Sequence, residues 1–323
     1  MSSAVQKKRA PLAGPFMRAN ERVWKRIPVS LKSTRLVRRY GAFLHSLAKQ
    51  HIARGQLHGT FFLRNRAELE LIGVIANQRP KGATLRIGVV ACSNGAEVYS
   101  IAWTIRSARP DLNLVIHAVD IARDIVEIAK EGAYPLEKQD LIGAPIFERL
   151  SVKEIKEIFD QGDGQMNVRP WIKEGIEWHA GDAADPAIAR QLGQLDIVVA
   201  NNFLCHMNPP DADQCLRRVA QLVKPGGYIF VSGVDLEVRT KVALELQWHP
   251  VTKLLEEIHD GDPSVRNDWP WRYWGLEPID RRIPNWAIRY AAVFQLGESG
   301  GTGPLNSELT DSNALAAPSS ISV

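Results

Sequence analysis

At 323 residues, 45% of them hydrophobic and 24% charged, the chain has the composition of a soluble globular protein, and no apolar run approaches the ~20 residues that cross a bilayer. Three cysteines without a Cys-x-x-Cys pair and eight scattered histidines exclude a disulfide framework and give no metal-ligand spacing, and with no apolar signal-peptide core a reducing, cytoplasmic setting is expected. The formal charge of +4 hides an asymmetry: residues 1–40 set eleven Lys and Arg against Glu21 alone, so they carry +10 and the rest −6.

Residues 1–15 read as disordered, and residues 16–82 as a basic helical segment. Within it, 20–56 predicts two or three basic amphipathic helices broken at Pro28, and 66–78 another helix with Leu69, Leu71, Ile72, Val74 and Ile75 as its apolar positions. Arg79-Pro80-Lys81-Gly82 is a break. The arm over residues 1–40 suits an acidic partner or an anionic membrane surface, or else is a solvated extension; no strong nucleic-acid motif accompanies it. Interleaved Trp24, Ile27, Leu36 and Leu44 imply that part of it packs on a neighbour.

Residues 83–296 alternate strand and helix. Strands are predicted at 85–91, 114–120, 176–180, 195–200 and 228–232, with helices near 95–107, 122–131 and 211–223 between them. This alternation predicts right-handed crossovers and an α/β fold with a doubly wound, mostly parallel sheet. Residues 288–295 read as a last strand, and 297–323, rich in Gly, Ser, Thr, Asn and Pro, as a disordered tail.

The chemistry concentrates at the first strand. Its apolar run ends in a small-residue turn, Ala91-Cys-Ser-Asn-Gly95, and a helix opens with Glu97 in its first turn. A strand, a glycine turn and a helix N-terminus form the usual seat of a nucleoside-bearing cofactor. Gly95 is alone, and an acid stands where a pyrophosphate needs bare amides, so a ligand with a positive charge and an amino group fits better than a dinucleotide. Asp120 closes the second strand, where an acid accepts from ribose hydroxyls or caps the next helix. Asp182 follows the third strand and is placed to touch an adenine edge or to serve a turn. Lys224-Pro-Gly-Gly227 supplies a helix stop and a reversal.

In this order the features resemble the seven-stranded, class I (Rossmann-like) S-adenosylmethionine-dependent methyltransferases. Thr60-Phe-Phe-Leu-Arg64, the turn Ala91-Cys-Ser-Asn-Gly-Ala-Glu-Val-Tyr-Ser100, Val119-Asp120-Ile121 and Ala200-Asn-Asn-Phe-Leu-Cys-His206 are together similar to the CheR-type protein-glutamate methyltransferases over roughly residues 58–235. The resemblance implies S-adenosylmethionine as cofactor. Thr60 and Arg64 would close over it, with Arg64 pairing its carboxylate. Ala91, Ser93 and Gly95 would form the turn, Glu97 would take the amino group, and Asp120 with Ile121 would sit at the ribose. Asp182 and Ala183 would lie at the adenine, and Asn201 and Asn202 near the methionine moiety.

This chain departs from the family pattern at three places: Asn201 stands for an Arg, His206 for a Tyr and His58 for an Asn. The family's Arg would help orient a glutamate, and an Asn cannot clamp a carboxylate bidentately. Asn202 and His206 remain the groups expected at the acceptor, His206 as a general base for a hydroxyl or amine or as a packed histidine.

Residues 159–169 contain a Gly-Asp-Gly signal and predict a hairpin, where the family carries a small β-subdomain. Residues 268–278 concentrate Trp269, Trp271, Tyr273 and Trp274, either a substrate-pocket wall or a cap on the core. His259-Asp-Gly-Asp262 reads as a turn. The expected function is S-adenosylmethionine-dependent methyl transfer to a protein glutamate in signalling. The alternatives are O- or N-methylation of a small molecule or other target, and an inactive cofactor-binding regulatory module.

Overall fold

The computed structural model describes residues 13–55, 59–136, 146–162 and 164–297. Helices α1 (Ala13–Arg26), α2 (Val29–Lys32) and α3 (Arg35–His51) come first, and α4 (Arg66–Asn77) leads into the sheet. The chain continues as β1 (Thr84–Val90), α5 (Ala96–Ala108), β2 (Asn113–Asp120), α6 (Arg123–Glu131), β3 (Ala133–Pro135), α7 (Val152–Ile158), β4 (Phe159–Gly162), β5 (Gln165–Val168) and α8 (Pro170–Lys173). Next come β6 (Ile176–Ala180), α9 (Pro186–Leu192), β7 (Leu195–Val199), α10 (Pro209–Ala220), β8 (Val223–Phe230), α11 (Leu236–Glu245) and β9 (His249–Pro250). Then α12 (Leu255–Asp260), α13 (Pro263–Arg266), α14 (Trp286–Tyr290) and β10 (Val293–Gln295) complete it.

Seven strands make one sheet in the order β6-β2-β1-β7-β8-β10-β9. Its first five members are parallel, and β10 runs antiparallel to both of its neighbours. The fold is thus the expected doubly wound, mostly parallel seven-stranded sheet with helices at the N-terminus. Winding reverses between β1 and β7, which opens a crevice at the carboxyl ends of these strands.

The sequence of β1 explains its central place. Leu85, Ile87, Val89 and Val90 are all buried; alternation with the polar Thr84 and Arg86 is confined to the first half, and the strand is buried throughout from Ile87 on. Leu85, Ile87 and Val89 pack with Val98, Ile101 and Ile105 of α5 and Leu71 and Ile72 of α4. Val90 and Val198 pack on the other face with Leu216 and Val219 of α10, Val242 of α11 and Tyr290 of α14. The predicted hairpin is present as β4 and β5, and β3 joins them in a second, three-stranded sheet.

Three expectations at the far edge of the large sheet change. Only Val293–Gln295 of residues 288–295 is strand; Trp286–Tyr290 is helix. The β-favouring Ile288 and Tyr290 are overruled by tertiary bonds, because Arg289 Nε and Tyr290 Oη both donate to Glu277 Oε1, at 2.7 and 2.8 Å. The fifth strand begins at Val223, and Lys224-Pro-Gly-Gly227 is a bulge within it, between the register pairs Leu195–Val223 and Ile197–Tyr228. The two-residue β9 was not foreseen.

At the N-terminus α1 begins at Ala13, inside the stretch expected to be disordered. Residues 1–12, the tail from 298 and His58 lie outside the described residues. No helix among the described residues is long and apolar enough to cross a membrane.

The N-terminal helices dock through aromatics. Trp24 of α1 meets Trp269 edge-on at 5.5 Å and Trp271 at 6.3 Å, with Leu44 of α3 beneath. Gly41 permits this approach, since a Cβ there would lie 2.2 Å from Trp269 Cη2 and 2.7 Å from Trp24 Cη2. Lys49 and Arg54 fasten the same helices to the body through Glu237 and Asp235, each at 2.8 Å. Gly41→Val is therefore expected to destabilise the protein by about 1–3 kcal/mol, as overpacking of a filled contact does. Denaturant unfolding followed by tryptophan fluorescence checks this, and an unchanged midpoint would refute the packing account.

Candidate active site

The crevice holds a cavity of about 310 Å³. Ala91, Cys92 and Ser93 line it from the end of β1, Asp120 and Ile121 from β2, Gly181, Asp182 and Ala183 from β6, and Asn201, Asn202 and Phe203 from β7. Glu97 enters from the first turn of α5, and Gly59, Thr60 and Arg64 cover one side. His206 and Met207 form the wall shared with an open outer cleft of about 780 Å³, whose far side carries Ser46, Lys49 and Gln50 of α3. Every sequence-predicted site residue except Gly95 therefore lines one cavity.

Gly95 acts through the backbone. It caps α5 at φ 85°, where a Cβ would press within 3.1–3.2 Å of Ala129, Trp178 and Tyr99. The turn before it is strained at non-glycine positions, with Ala91 at φ 57° and Ser93 at φ 49°, and Asn202 across the cavity stands at φ 59°. Hydrogen bonds fix the turn. Ser93 N donates to Asp120 Oδ2 at 2.8 Å, Ala96 N to Asn94 Oδ1 at 3.1 Å, and Tyr134 Oη to the Asn94 carbonyl at 2.6 Å. Asp120 also accepts from Ala122 N at 3.1 Å through Oδ1, so one buried carboxylate ties the β1 turn to the end of β2.

Asn201 serves a partner the sequence did not announce. Its Nδ2 donates to Glu97 Oε1 at 2.9 Å and to Glu68 Oε1 at 2.5 Å, while its Oδ1 accepts from Ser232 N and Oγ at 2.9 and 2.8 Å. Because a backbone N–H only donates, the amide orientation is settled by its partners. Glu68 lies in the first turn of α4, which Asn65 caps by accepting from Glu68 N at 3.3 Å. Burial, then repulsion from Glu97, pushes the Glu68 carboxyl up to about 8, and burial also raises Glu97.

Arg64 does not stand ready for a ligand carboxylate alone. Its Nε donates to Asp262 Oδ2 at 2.5 Å, Arg149 donates to Asp262 Oδ1 at 3.1 Å, and Arg149 lies over the Phe61 ring at 3.9 Å. Asp262 also caps α13, accepting from Ser264 N at 3.1 Å. The segment read as a turn therefore holds Arg64 and Arg149. Burial would raise the Asp262 carboxyl, but Arg64, Ser264 and Arg149 outweigh it and hold it below its ordinary value.

His206 lies on a 3-10 turn, Leu204–His206, with Nδ1 2.7 Å from Tyr273 Oη and its ring 6.3 Å from Trp274. Arg54 pins this turn by donating to the carbonyls of Cys205 and Met207 at 3.0 and 2.7 Å. The aromatic segment thus divides: Trp269 and Trp271 pack against the N-terminal helices, while Tyr273 and Trp274 lie against His206. Elsewhere His117, Glu177 and His179 bring ligand-type atoms within 4.8 Å of one another. Arg86 Nη2 lies 3.1 Å from His117 Nε2 and, being only a donor, takes its lone pair, so the group is a hydrogen-bonded chain starting at Arg86.

Residues 58–243 match the profile of the CheR methyltransferase SAM-binding domain. The chain belongs to the CheR methyltransferase family. Curated relatives are similar over about half of the chain. A chemotaxis protein methyltransferase of Vibrio parahaemolyticus is 29% identical over 168 residues, covering 50% of this chain and 56% of the relative. Chemotaxis protein methyltransferase 1 of Pseudomonas aeruginosa is 30% identical, covering 54% of this chain and 61% of its own. The Cher2 chemotaxis protein methyltransferase of Pseudomonas putida is 31% identical, covering 48% and 55%. The CheR chain therefore spans a little over half the length of the relatives it matches. S-adenosylmethionine is the cofactor of its domain.

The Asp262 anchor contributes at neutral pH. A carboxyl whose folded pKa is depressed stabilises fully above its unfolded pKa, near 3.9, and that stability is lost as pH falls through the lower folded value. Asp262→Asn is expected to destabilise the chain by about 1.5–3 kcal/mol at pH 7, with the gap to wild type closing as the pH drops toward 3. Urea midpoints between pH 7 and 3 measure this; a gap that stays constant would show that the charge is not what holds Arg64 and Arg149.

Proposed function

We propose that this chain transfers the methyl group of S-adenosylmethionine, bound in the 310 Å³ cavity, to an acceptor arriving through the outer cleft. The observation that carries this reading is the donor set. Acids from the successive ends of β1–α5, β2 and β6, namely Glu97, Asp120 and Asp182, converge on one cavity. Carboxylates suit a ligand carrying an ammonium, a sulfonium and two ribose hydroxyls, and would repel a pyrophosphate.

Glu97 would take the amino group, Asp120 the ribose hydroxyls, and Asp182 with the buried Ala183 the adenine edge, with Ile121 at the exposed rim. Ala91 and Ser93 would present backbone to the ligand. Asn202 would lie by the methionine moiety, and Thr60 and Arg64 would close the lid, Arg64 reaching the ligand carboxylate beside Asp262. When bound, the cofactor supplies an electrophilic methyl group. The residues' part is to position the acceptor in line with it and to exclude water.

The names of the relatives favour a protein carboxylate in a chemotaxis-like system as acceptor. A second reading has its own observation. Asn201 spends both of its N–H groups on Glu68 and Glu97, and His206 is oriented by Tyr273 at the wall facing the outer cleft. A hydroxyl or amine acceptor must lose a proton, which His206 Nε2 can take if Nδ1–H donates to Tyr273. A regulatory module that binds cofactor without turnover is the third reading.

The N-terminal helices support contact with an anionic surface. Phe16, Val23, Leu36 and Phe43 are exposed there among Arg18, Arg22 and Arg39.

Asp120→Ala should weaken S-adenosylhomocysteine binding at least about tenfold, since a buried hydrogen bond to a charged group is worth ~1.5–3 kcal/mol. Calorimetric titration tests this, and unchanged affinity removes Asp120 from the site. The acceptor is tested through the product. Should a hydroxyl or amine be methylated, the product resists mild alkali, and His206→Gln lowers kcat about 10²–10⁴-fold. An alkali-labile product assigns the acceptor a carboxylate instead.

A further inference from the structure

Helices α4 and α5 begin beside one another, and each carries a carboxyl group in its first turn. Glu68 is buried, and Glu97, half-buried, lines two adjoining cavities. One nitrogen, Asn201 Nδ2, lies 2.5 and 2.9 Å from an oxygen of each, so the two oxygens can be no farther apart than those lengths combined. The amide cannot turn to relieve this, because its oxygen is held by Ser232.

The charged and titratable groups facing the pair leave its charge uncancelled. Arg64, before α4, is committed to Asp262 at the start of α13, and Asp262 brings its own negative charge. Arg149 is bound to the same Asp262. His259 of α12 faces its Glu277 carbonyl at 2.9 Å, and burial disfavours its charged form. Cys92, after β1, is held as the thiol by burial. Burial thus favours the uncharged form of both His259 and Cys92.

We infer that Glu68 and Glu97 together hold one proton in the free protein and release it to solvent when the cofactor's ammonium settles against Glu97, so that cofactor binding is coupled to proton release. This rests on reading the cavity as the cofactor site. The raised values of both carboxyls agree with it, burial and mutual repulsion being the causes. The sign follows. Below about pH 8 the free pair carries its proton, and the bound ammonium favours the doubly ionised pair. Affinity therefore rises with pH toward about 8, by at most about tenfold per unit for one proton, and levels off above.

The test is calorimetric titration of the full chain with S-adenosylhomocysteine at pH 7, in phosphate and in Tris, whose different ionisation heats reveal released protons. Wild type is expected to release about 0.5–1 proton per ligand. Glu68→Gln, which keeps the shape and removes the titrating carboxyl, is expected to bind with little release and with an affinity that is flat from pH 6.5 to 8. Wild-type binding with no released proton overturns the inference and leaves the cofactor site standing. Continued release from Glu68→Gln overturns it too. If wild type does not bind at all, the reading of the cavity falls first. A Glu68→Gln chain that does not fold leaves the wild-type buffer comparison to decide alone.

Discussion

Negative charge gathered beneath the crest of a parallel sheet is the constraint around which this site is built. Asp120 and Glu68 are buried and Glu97 is half-buried in the cavity wall, where an unpaired carboxylate is costly. The fold answers in three ways. Glu68 and Glu97 each occupy the first turn of a helix, where the unsatisfied N–H groups and the helix dipole favour an anion. Asn201 gives one N–H to each of them. Asp120 takes two backbone N–H groups, from Ser93 and Ala122. What remains uncompensated faces the cavity, and that residue of negative potential is what a cationic ligand would meet.

The same economy links the N-terminal helices to the chemistry. Arg54, just after α3, binds Asp235 and two carbonyls of the turn that carries His206. Trp24 of α1 packs on Trp269, and four residues further on Tyr273 hydrogen-bonds His206. Displacing α1 and α3 would therefore disturb the position of His206 through two separate connections. A contact made on the basic outer face of those helices has a physical route to the His206 wall of the cavity.

Much of this was legible in the sequence because it is local. The alternation of apolar strands with helices pointed to the sheet, and the sequence singles out Asp120 because it closes a strand, and Asp182 and Glu97 because each stands two residues beyond a strand or turn. Glu68 was missed, although the sequence marks it. In the helix it shares a face with Leu71, Ile72 and Ile75 at spacings of three, four and seven, so the apolar period itself buries an acid. Asp262 and Tyr273 lie nearly 200 and 70 residues from the groups they hold, Arg64 and His206, and no local pattern reports such pairings. The helix at Trp286–Tyr290 shows the converse, a strand-like composition bent to another form by Glu277.

Charge accounting also bears on the acceptor. A carboxylate acceptor needs a cation to hold it near the methyl group, and the family supplies an arginine where this chain has Asn201. Two other guanidinium groups flank the cavity walls. Arg64 is bound to Asp262, and Arg54 to Asp235. To steer a carboxylate, either would have to be drawn from a partly buried ion pair, leaving a buried aspartate behind. A neutral nucleophile needs no cation to hold it, and the group it would meet on the cavity wall is His206, whose Nδ1 lies 2.7 Å from Tyr273 Oη. The substitution at position 201 and the pairing of both arginines thus push in one direction. They set the electrostatics of this site against the acceptor that the names of its relatives favour.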